Sequence, residues 1–210
     1  MESFQSLPSQ RGERRALRMR EAILDAGQRI LARHGSAALS CEAVAEAADV
    51  SIQTVYNRVG RKDDLLMALA ERAMEANQRY MDEAYTLTGD ARTRIEGALE
   101  AYIRFALERP DAFLTLALPP DRVSTDRANA MRQRQNGLLA EALAAGQAVG
   151  QIDQALDPGI CATTLWAMWN GLLVSMLYRD RLGLHEDEMA RVFDLARDLL
   201  RHALTGLVDH

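Results

Sequence analysis

The chain has 210 residues, of which 48% are hydrophobic and 26% charged, a balance that supports a sizeable buried core and excludes global disorder. Its two cysteines, Cys41 and Cys161, lie far apart, and its four histidines do not cluster with them. That argues against a disulfide framework or a zinc site and fits a reducing cytoplasm.

The net charge of −5 is unevenly spread. Residues 1–62 carry ten Lys/Arg against seven Asp/Glu, whereas the rest of the chain is acidic. The N-terminal portion is therefore the candidate to meet a polyanion, with random scatter of surface charge as the competing reading. No apolar run is expected to reach the roughly 20 residues of a membrane span. The first ten residues lack the layout of a signal peptide.

Residues 1–15 read as a flexible basic arm: Pro8, Gly12 and several Ser/Gln show no periodicity and lead into Arg11, Arg14, Arg15, Arg18 and Arg20. Two readings of the arm stand open, a contact with DNA phosphates or the minor groove, and a solvated tail. From Ala16 the pattern is helical, with Leu17, Ile23, Leu24, Ile30 and Leu31 as the apolar stripe and a stop near Gly35. Ser40 is a candidate N-cap for a short helix over 41–48, and Ser51 for another over 52–58. Gly60 ends the second, and Lys62 opens a long helix to about residue 87.

Further helices are predicted over 91–108, 111–118, 122–148, 158–181 and 186–204, separated by Pro119-Pro120, Gly150 and Asp157-Pro158. No segment alternates with period two, so the fold class is all-α with about nine helices. The division is an arm over 1–15, an N-terminal helical domain over 16–76 and a C-terminal helical domain over 77–210, with the boundary inside the long helix.

The segment 40–59 carries the functional signal. Two short capped helices are joined by Asp49-Val50, where the turn needs a residue tolerant of left-handed backbone. Val50 and Val55 point inward, leaving a face of Ser51, Gln53, Thr54, Tyr56 and Asn57. Gln53 and Asn57 share one side and suit adenine edges. Ser51, Thr54, Tyr56 and Lys62 suit phosphates. The DNA-contact set is completed by Ser40 and Arg58. An ordinary helical hairpin with a solvated polar face is the alternative.

Residues 20–66 resemble the N-terminal domain of the TetR (tetracycline-repressor) family. The resemblance rests on Ile23-Leu24-Asp25-Ala26, Ala32-Arg33-His34-Gly35, Val44-Ala45-Glu46-Ala47-Ala48, Val50-Ser51, Thr54-Val55-Tyr56 and Lys62-Asp63-Asp64-Leu65-Leu66, in gapless spacing. It implies an all-helical homodimer that binds a palindromic operator and releases it when a small molecule enters the C-terminal domain. It places Gln53 and Thr54 at bases, and Tyr56 and Lys62 at the backbone. Asp49 stands where Gly is usual, Ile52 where Lys is common, and Asn57-Arg58-Val59 replaces an aromatic-His-Phe run. Arg58 is placed to recover a phosphate contact.

In the C-terminal part, Trp166 to Gly171 is similar to a Trp-x-x-x-His-Gly pattern of one subgroup, with Asn170 replacing His. Tyr102, Phe105, Phe113, Trp166, Trp169 and Asn170 are the candidate pocket residues, with a packed core as the bland reading for each. The absence of clustered charge points to a largely apolar or aromatic effector. The wide apolar face of the last helix nominates Met189, Val192, Phe193, Ala196 and Leu200, with Met176, for an isologous dimer interface. Neither a nucleophile–base grouping nor a phosphate loop nor a metal motif is found, so no enzyme activity and no cofactor are expected. The expected partners are an operator duplex, a small-molecule effector and a second copy, without a membrane. A helical adaptor that binds only protein is the rival class.

Overall fold

The computed structural model describes residues 10–86, 88–119, 126–178 and 185–205, and these hold nine helices and no strand. Helix α1 spans Gln10–Ala38, α2 Cys41–Ala47, α3 Ile52–Arg58 and α4 Lys62–Tyr85. The remainder are α5 Ala91–Glu108, α6 Pro110–Ala117, α7 Asp126–Ala148, α8 Pro158–Leu177 and α9 Glu186–Thr205.

Helix α1 begins earlier than its apolar stripe suggested. Residues 10–15, read as part of the arm, are helical, because Gln, Arg and Glu are good helix formers and Glu13 complements the N-terminal dipole. Residues 1–9 of the arm lie outside the described residues. Leu17, assigned to the stripe, is exposed, whereas Ile23, Leu24 and Leu31 are buried. Gly35, at φ 75°, breaks the helical path.

The two short helices are held by local devices. Ser40 Oγ accepts from the Ala43 amide at 3.1 Å, and Ser51 Oγ from the Thr54 amide at 3.2 Å. Asp49 takes the left-handed turn at φ 52°. Asp64 caps α4 by accepting the Arg61 amide at 2.8 Å. Val44 and Val55 close onto Ile23, Leu39, Leu65 and Leu69 to form the N-terminal core.

A second core gathers Phe105, Phe113, Trp169, Leu173 and Phe193 against Ala73 and Ala76 of α4 and Ala32 of α1. Phe105 and Phe113 meet edge-on at 6.1 Å between centroids, as do Tyr102 and Phe113 at 5.7 Å. Helix α6 packs on both α1 and α4. The Tyr178 hydroxyl donates to the Ala32 carbonyl at 2.9 Å, which ties the end of α8 to α1.

Helix α8 corrects the expectation about apolar runs. It has 20 residues without a charge, and among the described residues it is the helix long and apolar enough to cross a membrane. Its inner face, Ala162, Trp169, Leu173 and Val174, is buried in the protein core, and most of its surface is not. Asp157 caps it through the Ile160 amide, with Pro158 in the first turn as expected.

Gly60 terminates α3 at φ 114°, and a Cβ there would stand 2.4 Å from Asp64 Oδ2. Gly60→Ala therefore combines left-handed strain with displacement of the α4 cap. We expect it to lower unfolding free energy by at least about 1–2 kcal/mol, read as a lower urea midpoint at unchanged slope. An unchanged midpoint would exclude strain at this turn.

Candidate functional site

Helix α3 buries one side chain, Val55, against the N-terminal core. Ile52 packs partly against the same core. Gln53, Tyr56, Asn57 and Arg58 are exposed, and Thr54 is half-buried. Gln53 Nε2 donates to Asn57 Oδ1 at 3.0 Å, so the two amides form one donor–acceptor unit on a single face.

The other sequence-predicted residues have structural duties as well. Ser40 and Ser51 are N-caps, and the Ser51 and Thr54 hydroxyls lie 2.8 Å apart. Lys62 Nζ donates to the Ser36 carbonyl at 2.9 Å, which fastens the end of α1 to the start of α4. Ser40, Gln53, Tyr56 and Lys62 come together around one open concavity of about 770 Å³. It also takes in Glu42 and Asp64. Cys41 in its wall is buried, and burial raises its thiol pKa, with Glu42 and Asp64 adding to the effect. It stays a thiol rather than a reactive thiolate.

In the C-terminal part, α4, α5, α7 and α8 enclose two adjoining cavities that share Tyr102, Gln135 and Trp166. One, of about 60 Å³, has apolar walls that include Met81, Leu99, Leu139 and Trp169. The other, of about 30 Å³, is walled by Asn77, Arg132, Gln135 and Asn170 beside Phe105 and Leu116. The Tyr102 hydroxyl donates to Asn170 Oδ1 at 2.9 Å, and Gln135 Nε2 donates to Asn77 Oδ1 at 2.7 Å. Burial pushes Tyr102 far above the usual phenol range and Tyr85 up to about 12, so both hydroxyls remain neutral donors.

A groove of about 310 Å³ between α5 and α9 shares Ile95, Leu99 and Leu200 with the apolar cavity. Its rim carries Arg92, Arg197 and Arg201 among Asp90, Glu96 and Glu100. Arg92 and Arg201 reach Glu96 at 3.2 and 3.4 Å.

Of the pocket residues expected from sequence, Tyr102, Phe105, Trp166, Trp169 and Asn170 line these cavities. Phe113 does not; it sits behind Tyr102 and Phe105 as core. Sequence reasoning missed Asn77, Arg132 and Gln135. Asn77 left a signal, a polar residue inside the apolar stripe of α4, and it is 2% exposed.

The expected dimer residues need correction. Met189, Phe193, Ala196 and Leu200 are buried within their own chain, since the main stripe of α9 faces the second core and the α5 groove. Met176 and Val192 are half-buried. On α8 and α9 the exposed large apolar side chains among the described residues are Leu195 and Leu199, 59% and 58% exposed, and Ile160 at 69%. Among the described residues no group of His, Cys, Asp and Glu could hold a metal.

Residues 23–69 match the family model for bacterial regulatory proteins of the tetR family, and residues 95–200 match that for the tetracyclin repressor-like C-terminal domain. No curated protein matches the sequence. Similar solved structures include the MbdR regulator from Azoarcus sp. CIB, 22% identical with a TM-score of 0.75, covering 89% of this chain and 98% of that one. A Saccharomonospora viridis protein solved in complex with choline is 23% identical with a TM-score of 0.70, over 90% and 98% of the two chains. AibR, solved in complex with isovaleryl coenzyme A and operator DNA, is 15% identical with a TM-score of 0.69, over 83% and 95%. These likenesses are of fold. With both family models matched in order along one helical chain, the protein belongs to the tetR family of bacterial regulatory proteins.

Proposed function

We propose that the protein is a ligand-responsive transcriptional regulator, acting as a repressor, that binds a palindromic operator as a homodimer. The observation that carries this reading is α3: a capped helix anchored by Val55, with the Gln53–Asn57 amide pair presented outward. A bidentate amide is the chemistry that reads adenine in the major groove. Ser51, Thr54, Tyr56 and Arg58 flank it for phosphates, while Ser40 and Lys62 sit at the starts of α2 and α4, where backbone amides favour an anion.

Release follows from the shared helix. Asn77 in the cavity wall and Lys62 beside the α2–α3 unit are fifteen residues apart on α4, about 22 Å of continuous helix. A small, largely apolar molecule between α4, α5, α7 and α8 displaces α4 and α6, and α6 also bears on α1. In a dimer this alters the distance between the two α3 helices, which must match successive major grooves about 34–36 Å apart. The ligand-bound neighbours of the same fold support a small-molecule effector.

Pairing is assigned to the outer faces of α8 and α9. Leu195, Leu199 and Ile160 are exposed there, and α8 adds exposed Ala167 and Gly171 four residues apart. A Cβ at Gly171 would meet nothing within 4 Å, so a second helix has room to approach closely. Two copies related by a twofold axis would bury these faces as a four-helix bundle.

Fluorescence anisotropy on DNA surrounding its own coding region tests the recognition assignment. Gln53→Ala is expected to cost about 1–3 kcal/mol on one sequence and little on others. Arg58→Ala is expected to weaken all duplexes alike and reduce the salt slope by about one. If Gln53→Ala loses affinity without regard to sequence, Gln53 is not a base-reading residue. Binding that ignores salt would favour the adaptor class instead.

For the pairing surface, the double variant Leu195→Glu/Leu199→Glu is expected to shift sedimentation from dimer to monomer with its helical circular dichroism retained. A dimer that survives both charges would move the interface elsewhere.

A further inference from the structure

Donors and acceptors are unequal at the polar end of the cavity. The Oδ1 atoms of Asn170 and Asn77 already accept from Tyr102 and Gln135. The other half of each asparagine amide is an NH2 group, which only donates. In the adjoining apolar cavity Trp169, 3% exposed, holds an indole N–H without a partner among the described residues. An indole nitrogen only donates.

Arg132 adds charge to this imbalance. On the same helix, Arg127 pairs with Glu71 at 3.7 Å and Arg134 with Asp82 at 3.3 Å, both across to α4. Arg132 lies between them in sequence but turns to the cavity. It bonds the Asn129 side chain, a neutral acceptor, and meets no carboxylate among the described residues. A half-buried guanidinium without a countercharge carries a desolvation cost that an anion in the cavity would offset.

On the effector-site reading given above, we propose that the effector is a carboxylic acid with an apolar body. Its carboxylate meets Arg132 and the amide NH2 groups of Asn77 and Asn170, and its body lies against Leu99, Leu139 and Trp169. A neutral amide would satisfy the same N–H donors but leave the guanidinium uncompensated. A cation would meet repulsion and oxygens that are already engaged.

Trp166 and Trp169 are the two tryptophans of the chain and both line the cavity, so intrinsic fluorescence reads its occupancy. The full-length protein is titrated with monocarboxylates from acetate to decanoate, with benzoate and phenylacetate, and with the matching primary amides and amines. At least one acid is expected to bind saturably, with its amide and amine at least about tenfold weaker. Arg132→Gln should weaken that acid by a similar factor, Arg132→Lys should retain part of the affinity, and Arg134→Gln should leave it unchanged. Amides or amines that bind as tightly as the acids, or acid binding that survives Arg132→Gln, overturn the acid assignment and leave the effector site standing. If no compound of any series binds, the acid assignment and the effector-site reading fall together.

Discussion

One apolar stripe along α4 serves two cores at once. Leu65, Leu66 and Leu69 belong to the N-terminal core with Val44 and Val55, while Ala73 and Ala76 belong to the C-terminal core with Phe105, Phe113 and Trp169. A helix packed this way cannot rotate or slide under one set of neighbours without disturbing the other, because packed interiors do not deform continuously. Ala73 and Ala76 let α5 and α6 approach α4 closely, so what happens among them is passed to the helix axis.

Helix α3 is held in the opposite manner. With a single fully buried side chain, its orientation depends on caps and turns: Ser51 at its start, Gly60 at its end, Asp49 in the turn before it. That economy leaves Gln53, Tyr56, Asn57 and Arg58 exposed. The Lys62–Ser36 and Tyr178–Ala32 bonds then fix the braces around it, so a weakly buried helix sits on a well-determined platform.

Features set by neighbours in the chain were legible in sequence. Ser40, Ser51 and Pro158 start helices, and Gly60 ends one, because each acts within three or four residues of itself. The effector cavity was half legible. Its aromatic wall stood out by residue type, but Arg132 and Gln135 lie on α7, whose mixed composition gives no hint of which side faces inward. The α9 surface misled for a related reason. Periodicity identifies an apolar stripe without saying whether it meets its own chain or another, and Met189, Phe193, Ala196 and Leu200 meet their own. Among the described residues of α9, Leu195 and Leu199 are the large apolar side chains left exposed.

The uncharged length of α8 has a consequence for the life of the chain in the cell. By length and composition it is long and apolar enough to cross a membrane, and most of it is not covered within one copy. A solitary copy is therefore the hazardous form, open to misdirected insertion or to self-association through a sticky helix. In the homodimer proposed above, pairing would cover that helix, so association would shield its apolar face as well as set the spacing of two α3 helices. A regulator kept at few copies per cell would then depend on its copies meeting soon after synthesis.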